Sequence, residues 1–212
     1  MSATDILLIG AGGHAQSCIE VIEHSGRFRI VGLVGSAEEV GTAVLGYSVM
    51  GTDADLSDLR RRCRHALIAV GQLRPSAARM RLFAQVREAG FDLPSIIAAD
   101  AIVSRHAAVG DGSIVMHGAI VNAGARIGEN CILNSRCLVE HGASVGDHCH
   151  IATGAIVNGD AAVGEGSMLG SGSVLREGRR IGRDCLVGMG LGVRSDLPDG
   201  CIFTGHGKGR EA

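Results

Sequence analysis

The chain has 212 residues, enough for one large domain or two small ones; it is 46% hydrophobic yet holds no Trp, one Tyr and four Phe, so a core must come from Val, Ile, Leu and Ala. With 33 Gly, only 3 Pro and a net charge of −2, it is neither collagen-like nor Pro-rich and disordered, and it has no electrostatic case for nucleic acid or an anionic membrane. The apolar run Ile6–Ile9 is too short for a signal-peptide core or a membrane span, so a cytoplasmic location is expected, and the seven Cys read as free thiols.

Residues 1–95 read as a small α/β unit with a parallel, Rossmann-like sheet. Asp5 to Ile9 is an apolar strand, and Gly10-Ala11-Gly12-Gly13-His14-Ala15 then opens a helix reaching about His24. Arg29 to Val34 is a second strand, followed by a loop containing Val44-Leu45-Gly46-Tyr47, a short helix over Leu56 to Arg62, and a third strand from Ala66 to Val70. Pro75 takes the first position of a helix running to about Ala89. The Gly-rich turn feeds a helix N-terminus, where free N–H groups favour a phosphate; a merely tight structural turn is the alternative. A nicotinamide cofactor is not expected, because the end of the second strand reads Val34-Gly35-Ser36 where an acidic residue would hold a ribose. A nucleotide carrying a sugar fits better.

Residues 96–212 read as an all-β unit. From Ala101 to Asp196 the chain divides into sixteen hexads whose third residue is Val, Ile or Leu in every case. Neither a helical nor a simple strand period holds one apolar phase at six for 96 residues. The first position is small in fourteen hexads, Arg179 and Leu191 excepted, and it shares the inward face with the third. The sixth is Gly in nine hexads and Asn, Asp or His in six, with Arg136 the exception; these types best tolerate positive φ. Short strand, corner and repeat give a triangular parallel β-helix with three strands per coil and slightly over five coils, about 25 Å tall at ~4.8 Å per strand.

The second position points outward, and its character differs by face. On the first face it reads Ile102, Ile120, Leu138, Ile156, Val174 and Gly192, and on the third Ile114, Ile132, His150, Met168 and Leu186. The second face is polar or small: Ala108, Arg126, Ser144, Ala162 and Arg180. Two apolar outer faces imply a heterologous contact that closes into a ring, and a homotrimer is expected. His141 occupies a corner position and leaves the prism, as does its competitor His117; His106 and His148 fall at turn positions where a structural role suffices. Cys131, Cys137, Cys149 and Cys185 face inward, so none is a good acyl-enzyme nucleophile, and His148-Cys149-His150 cannot converge on a metal because alternation splits it.

A GAGGHA-type α/β unit fused to hexapeptide repeats, with Val139-Glu140-His141 followed by His150, resembles the bacterial acetyltransferases that act on amino sugar nucleotides, a family that includes sialic acid O-acetyltransferases. The resemblance covers essentially the whole chain. It implies a left-handed β-helix, acetyl-CoA as cosubstrate and no metal. It assigns the catalytic base to His141 and gives Gly12, Gly13, His14, Ser36 and Gly71 to the nucleotide sugar. His150, Gly159, Ser171, Gly188, Met189 and Gly190 go to the coenzyme. Members acting on perosamine nucleotides look nearest. Gly142 stands where uridine-sugar members carry a Glu after the base, so His141 must be oriented and tuned in another way; Gly35-Ser36 stands where they carry acidic residues, and this second departure favours a guanosine diphosphate sugar. The expected reaction is direct attack of a sugar amine on the thioester, with His141 taking the proton and the Gly159 N–H holding the oxyanion. O-acetylation of a sialic-acid-like sugar, a metal-dependent hydratase of the same β-helix type and a nonenzymatic sugar-binding protein are the alternatives.

Overall fold

The computed structural model describes residues 3–72, 77–204 and the backbone of 210–211; Pro75 lies outside these. The N-terminal unit runs β1 (Thr4–Ile9), α1 (Gly13–Ser25), β2 (Phe28–Val34), β3 (Ala43–Val44), β4 (Tyr47–Gly51), α2 (Leu56–Arg60), β5 (His65–Ile68) and α3 (Ala77–Glu88). The sheet order is β3-β4-β2-β1-β5, with β1 parallel to both neighbours. Within β1, Ile6–Ile9 is an unbroken apolar run because both faces are covered: Ile6 and Leu8 pack with α1, and Leu7 and Ile9 with Leu82, Phe83 and Val86 of α3.

The stretch expected as a loop around Val44–Tyr47 is a hairpin. β3 and β4 pair antiparallel about Leu45 and Gly46, both at positive φ (48° and 86°), so one edge of the sheet is mixed rather than parallel. Leu rarely adopts that conformation, which disguised the turn.

Beyond α3 the chain winds as a parallel β-helix of two-residue strands. Each residue pairs with the one 18 positions on, as in Ile102↔Ile120↔Leu138. The first sheet has six strands and the second five, while the third has eight and begins at Ile96–Ile97, before the first hexad. Fourteen of the sixteen turn residues take positive φ, all but His106 and Asp196, including the non-glycines Asn130, Arg136, His148, Asp160 and Asp184. Inside, Val115, Val121, Leu133, Val139, Ile151 and Val157 stack without solvent exposure, interleaved with Cys131, Cys137 and Cys149. Burial pushes the Cys131 and Cys137 thiols up to about 12, so they act as small apolar fillers.

The expectation of two free apolar faces requires correction. Ile114 and Ile132 of the third face are fully buried, and they pack with Ile19 and Ile22 of α1 and with Ile6 and Leu8. The chain covers the lower part of this face with its own N-terminal unit. The first face stays open, and its Ile102 is 62% exposed.

The seam between the two units is polar at its centre. Arg79, on the apolar side of α3 with Leu82, Phe83 and Val86, is 1% exposed. Its guanidinium donates to the carbonyls of Ile68 (3.2 Å) and Val70 at the end of β5, and to Asn130 O (3.1 Å) and Oδ1 (2.7 Å). Asn130 passes a further bond, 3.0 Å, to Nδ1 of His148, whose ring meets Phe83 edge-on. No carboxylate offsets Arg79 among the described residues, and burial lowers its pKa to about 10. The turn column Gly112, Asn130, His148 and Gly166 therefore serves as a docking rail. A side chain at Gly112 would strike Phe83, and Gln72 donates to Gly166 O at 3.2 Å.

Candidate active site

Three strand ends converge on a cleft of about 370 Å³. Gly12, Gly13 and His14 come from the start of α1, Ser36 from the end of β2 and Gly71 from the end of β5, so all five residues assigned to the nucleotide sugar line one cavity. Gly10 sits at φ +126°, and a Cβ there would lie 2.8 Å from the Val70 side chain, which fixes the tight turn. Gly12 caps α1 without a side-chain hydrogen bond and no acidic residue occupies the first turn, so the helix N–H groups face the cleft undimmed. Nothing stands within 4 Å of where a Cβ would project at Gly12 or Gly13.

The cleft is not free of carboxylates. Glu39 folds back so that its Oε2 accepts from the Ser36 N–H at 2.8 Å, and both Glu39 and Asp53 line the cavity. The acid missing from Gly35-Ser36 in sequence arrives from the turn that follows. A side chain at Gly35 would displace it, since a Cβ there would lie 2.7 Å from that oxygen.

His14 forms the cleft's inner wall, against Gly71. Its Nε2 is wholly buried with no hydrogen-bond partner among the described residues, and desolvation, followed by the charges of Arg79 and His150, lowers its pKa to about 3. It is a neutral ring at any ordinary pH. His150 is 7% exposed in the adjoining seam: Nδ1 lies 2.8 Å from Gln72 O, and Nε2 accepts from the Asn134 amide at 3.2 Å. Burial lowers its pKa as well. His150 thus stands on the third face beside His14.

His141 lies elsewhere, on the edge between the first and second sheets, after Leu138–Val139 and before Ser144–Val145. It is exposed, and its ring lies over Gly159, where a Cβ would come within 2.5 Å of Cε1. Its backbone N–H donates to Glu140 Oε2 at 3.2 Å, and Asn122 donates to the same oxygen at 2.8 Å. Gly142, at φ +67°, leaves room for Asp160: a Cβ at 142 would lie 2.2 Å from the Asp160 Oδ1. The corner therefore draws its carboxylates from the preceding residue and from the coil above. Ser171 and Gly188-Met189-Gly190 flank the opposite edge of the first sheet, between it and the third, with Met189 75% exposed. A single chain thus joins His141 to Gly159 and separates both from Ser171 and Gly188–Gly190 by the width of the bare first face.

His117, the competitor, pairs through Nδ1 with Asp100 at 2.8 Å and packs edge-on against His24, at the far end of α1 from Gly13. Among the described residues no group of three or more His, Cys, Asp or Glu could hold a metal, and no helix is long and apolar enough to cross a membrane.

Residues 5–86 match the PglD N-terminal domain, residues 124–159 the bacterial transferase hexapeptide (six repeats), and residues 161–194 the hexapeptide repeat of succinyl-transferase. PerB from Caulobacter crescentus, solved with CoA and GDP-perosamine, is 33% identical, with 97% of each chain covered and a TM-score of 0.90. The acetyltransferase domain of PglB from Neisseria gonorrhoeae, in complex with acetyl coenzyme A, is 31% identical over 94% of this chain and 95% of that one, with a TM-score of 0.86. The chain belongs to this family of hexapeptide-repeat acetyltransferases. It is an acyltransferase, and the left-handed β-helix expected from the resemblance is the family's fold. WeeI from Acinetobacter baumannii, 20% identical over 98% of this chain and 100% of its own, shares the fold with a TM-score of 0.84. Comparison with curated proteins gives no match.

Proposed function

We propose that the protein transfers the acetyl group of acetyl-CoA to the amine of a nucleotide-linked 4-amino-4,6-dideoxy sugar, with GDP-perosamine the leading substrate. The observation that carries this reading is the convergence of Gly12, Gly13, His14, Ser36 and Gly71 on one cleft at an uncapped helix N-terminus. Such a terminus suits a diphosphate, and the likeness to PerB supplies the sugar. The neutral amine attacks the thioester carbon, His141 accepts the proton the nitrogen loses, and the carbon–sulfur bond breaks to expel the CoA thiolate, which takes that proton and leaves as the thiol. The Gly159 N–H holds the oxyanion that forms between these steps. Glu140 and Asp160, at the same corner, are the carboxylates available to steady the imidazolium.

The working unit in this reading is a cytoplasmic homotrimer packed through the first face. The His141 edge of one chain then faces the Ser171 and Gly188–Gly190 edge of its neighbour, and the coenzyme lies between them. His150 meets it through Nε2, exchanging Asn134 for the ligand. Acetylation of a hydroxyl differs only in the acceptor.

Thiol release from acetyl-CoA against a panel of amino sugar nucleotides tests the substrate. His141→Ala should lose ~10²–10⁴-fold in turnover while binding both substrates. Mixing His141→Ala chains with Ser171→Trp chains should restore part of the activity; no recovery after verified subunit exchange would mean that each site is built within one chain.

A further inference from the structure

The cleft at the start of α1 has the wrong surface charge for a diphosphate. Its titratable lining residues are His14, Glu39, Asp53 and Arg81. His14 is neutral, so two carboxylates face one guanidinium, and the walls hold one formal negative charge in excess. A diphosphate entering such a cleft meets net repulsion from the side chains. The free N–H groups of α1 offset part of it, because a helix terminus carries roughly half a positive charge.

The remaining positive charge lies behind the wall. Nη1 of Arg79 donates to the Ile68 and Val70 carbonyls and Nη2 to Asn130 O and Oδ1, while Nε has no hydrogen-bond partner among the described residues. Val70 lines the cleft, so the guanidinium stands one peptide group behind its surface. Its charge reaches forward from there, to His14 on the inner wall and to Cys18 one turn further along α1. All four acceptors are neutral; they satisfy hydrogen bonds and cancel no charge. A lone cation that is 1% exposed destabilises a fold, and Asp in place of Asn130 would supply the counter-ion. The sequence withholds it. We propose that Arg79 is the buried counter-charge of the cleft, left unpaired so that its field acts on the diphosphate of the bound nucleotide. It touches neither the substrate nor the reacting atoms and positions the diphosphate through charge alone. This rests on the nucleotide-sugar reading above.

Calorimetric titration of the full chain with GDP, GMP and guanosine tests the assignment, and Asn130→Asp is the decisive variant. It sets a carboxylate oxygen where Oδ1 now accepts at 2.7 Å, on the prism side of the seam and away from every cleft-lining residue. Asp tolerates the positive φ of position 130, and His148 can donate to it from Nδ1. The variant should melt at or above the wild-type temperature, because a paired charge is easier to bury than a lone one. It should nevertheless weaken GDP on the order of tenfold, GMP by less, and guanosine not at all. Arg79→Gln should repeat that ranking in whatever protein stays folded, and Arg79→Lys should hold GDP within about twofold of wild type. Unchanged GDP binding in Asn130→Asp, an equal loss for guanosine, or an Arg79→Lys chain as weak as Arg79→Gln would overturn the assignment while leaving the nucleotide reading in place. An Asn130→Asp chain that fails to fold would overturn it as well, since the charge would then not be a lone one. A wild type that binds no GDP would overturn both this assignment and the guanosine diphosphate reading.

Discussion

The first and third faces of the prism look alike in sequence and end differently. Both carry an outward aliphatic column, yet Ile114 and Ile132 of the third are fully buried by α1, whereas Ile102 of the first is 62% exposed. An apolar column therefore foretells burial without naming what buries it. The third face also recruits polar groups that bond to the N-terminal unit, with Arg79, Asn130, His148 and His150 around its apolar centre, whereas Asn122, Glu140 and His141 at the edge of the first face bond within the prism. The third face is closed by its own chain, and the first is the face through which we propose that copies pack.

The strongest way to break this contrast is to place the same charge on each face. Ile132→Asp buries an unpaired carboxylate in the seam and should cost several kcal/mol, leaving little folded protein by circular dichroism. Leu138→Asp, one sheet away, should keep the fold and instead turn the proposed trimer into monomer by sedimentation; a folded Ile132→Asp chain would contradict the closed seam. Next in size is Arg79→Ala, which strands the Ile68, Val70 and Asn130 carbonyls and opens a cavity. About 2–4 kcal/mol should be lost in urea unfolding, with Arg79→Lys in between.

Acid sharpens the comparison further, since the depressed histidines sit on the seam. An unfolded chain protonates His14 near 6.5, whereas the folded one resists until about 3, with His150 shifted the same way. Stability from His14 is complete above pH 6.5 and falls as pH drops through the window toward 3, by about 1 kcal/mol per pH unit, and His150 acts in the same direction. His14→Gln should flatten the fall in melting temperature between pH 7 and 5. The smallest effect belongs to His117→Ala. Its pair with Asp100 is solvent-accessible and remote from the cleft, so activity should stay near wild type and the melting point should move by no more than ~2 °C.

The prism was legible because each hexad states its own geometry: an inward aliphatic at position three and a turn former at position six suffice without knowledge of the rest. The N-terminal strands and the Gly12–His14 turn were legible for the same local reason. What escaped depends on approach across long sequence separation. Arg79 lies at helical spacing from Leu82, Phe83 and Val86, a visible anomaly on an apolar stripe, yet only the fold brings Asn130 to it. Glu39 reaches Ser36 because the chain doubles back, and Asp160 fills the space above Gly142 because coils stack 18 residues apart. The Leu45-Gly46 hairpin hid behind a residue that disfavours its own backbone angle.

The seam also sets an order of events during synthesis. When residue 95 leaves the ribosome, every strand and helix of the N-terminal unit has been made. Arg79 can then reach only the Ile68 and Val70 carbonyls, and the prism-facing side of α1 is bare. Asn130 and His150 must still emerge before that surface is closed. At ~5–20 residues per second, the unit waits roughly 3 to 11 s, half-docked, for the third coil. Ribosome stalling between residues 95 and 150 is thus when this chain is most open to chaperones and to aggregation, although each half of it looks complete when read alone.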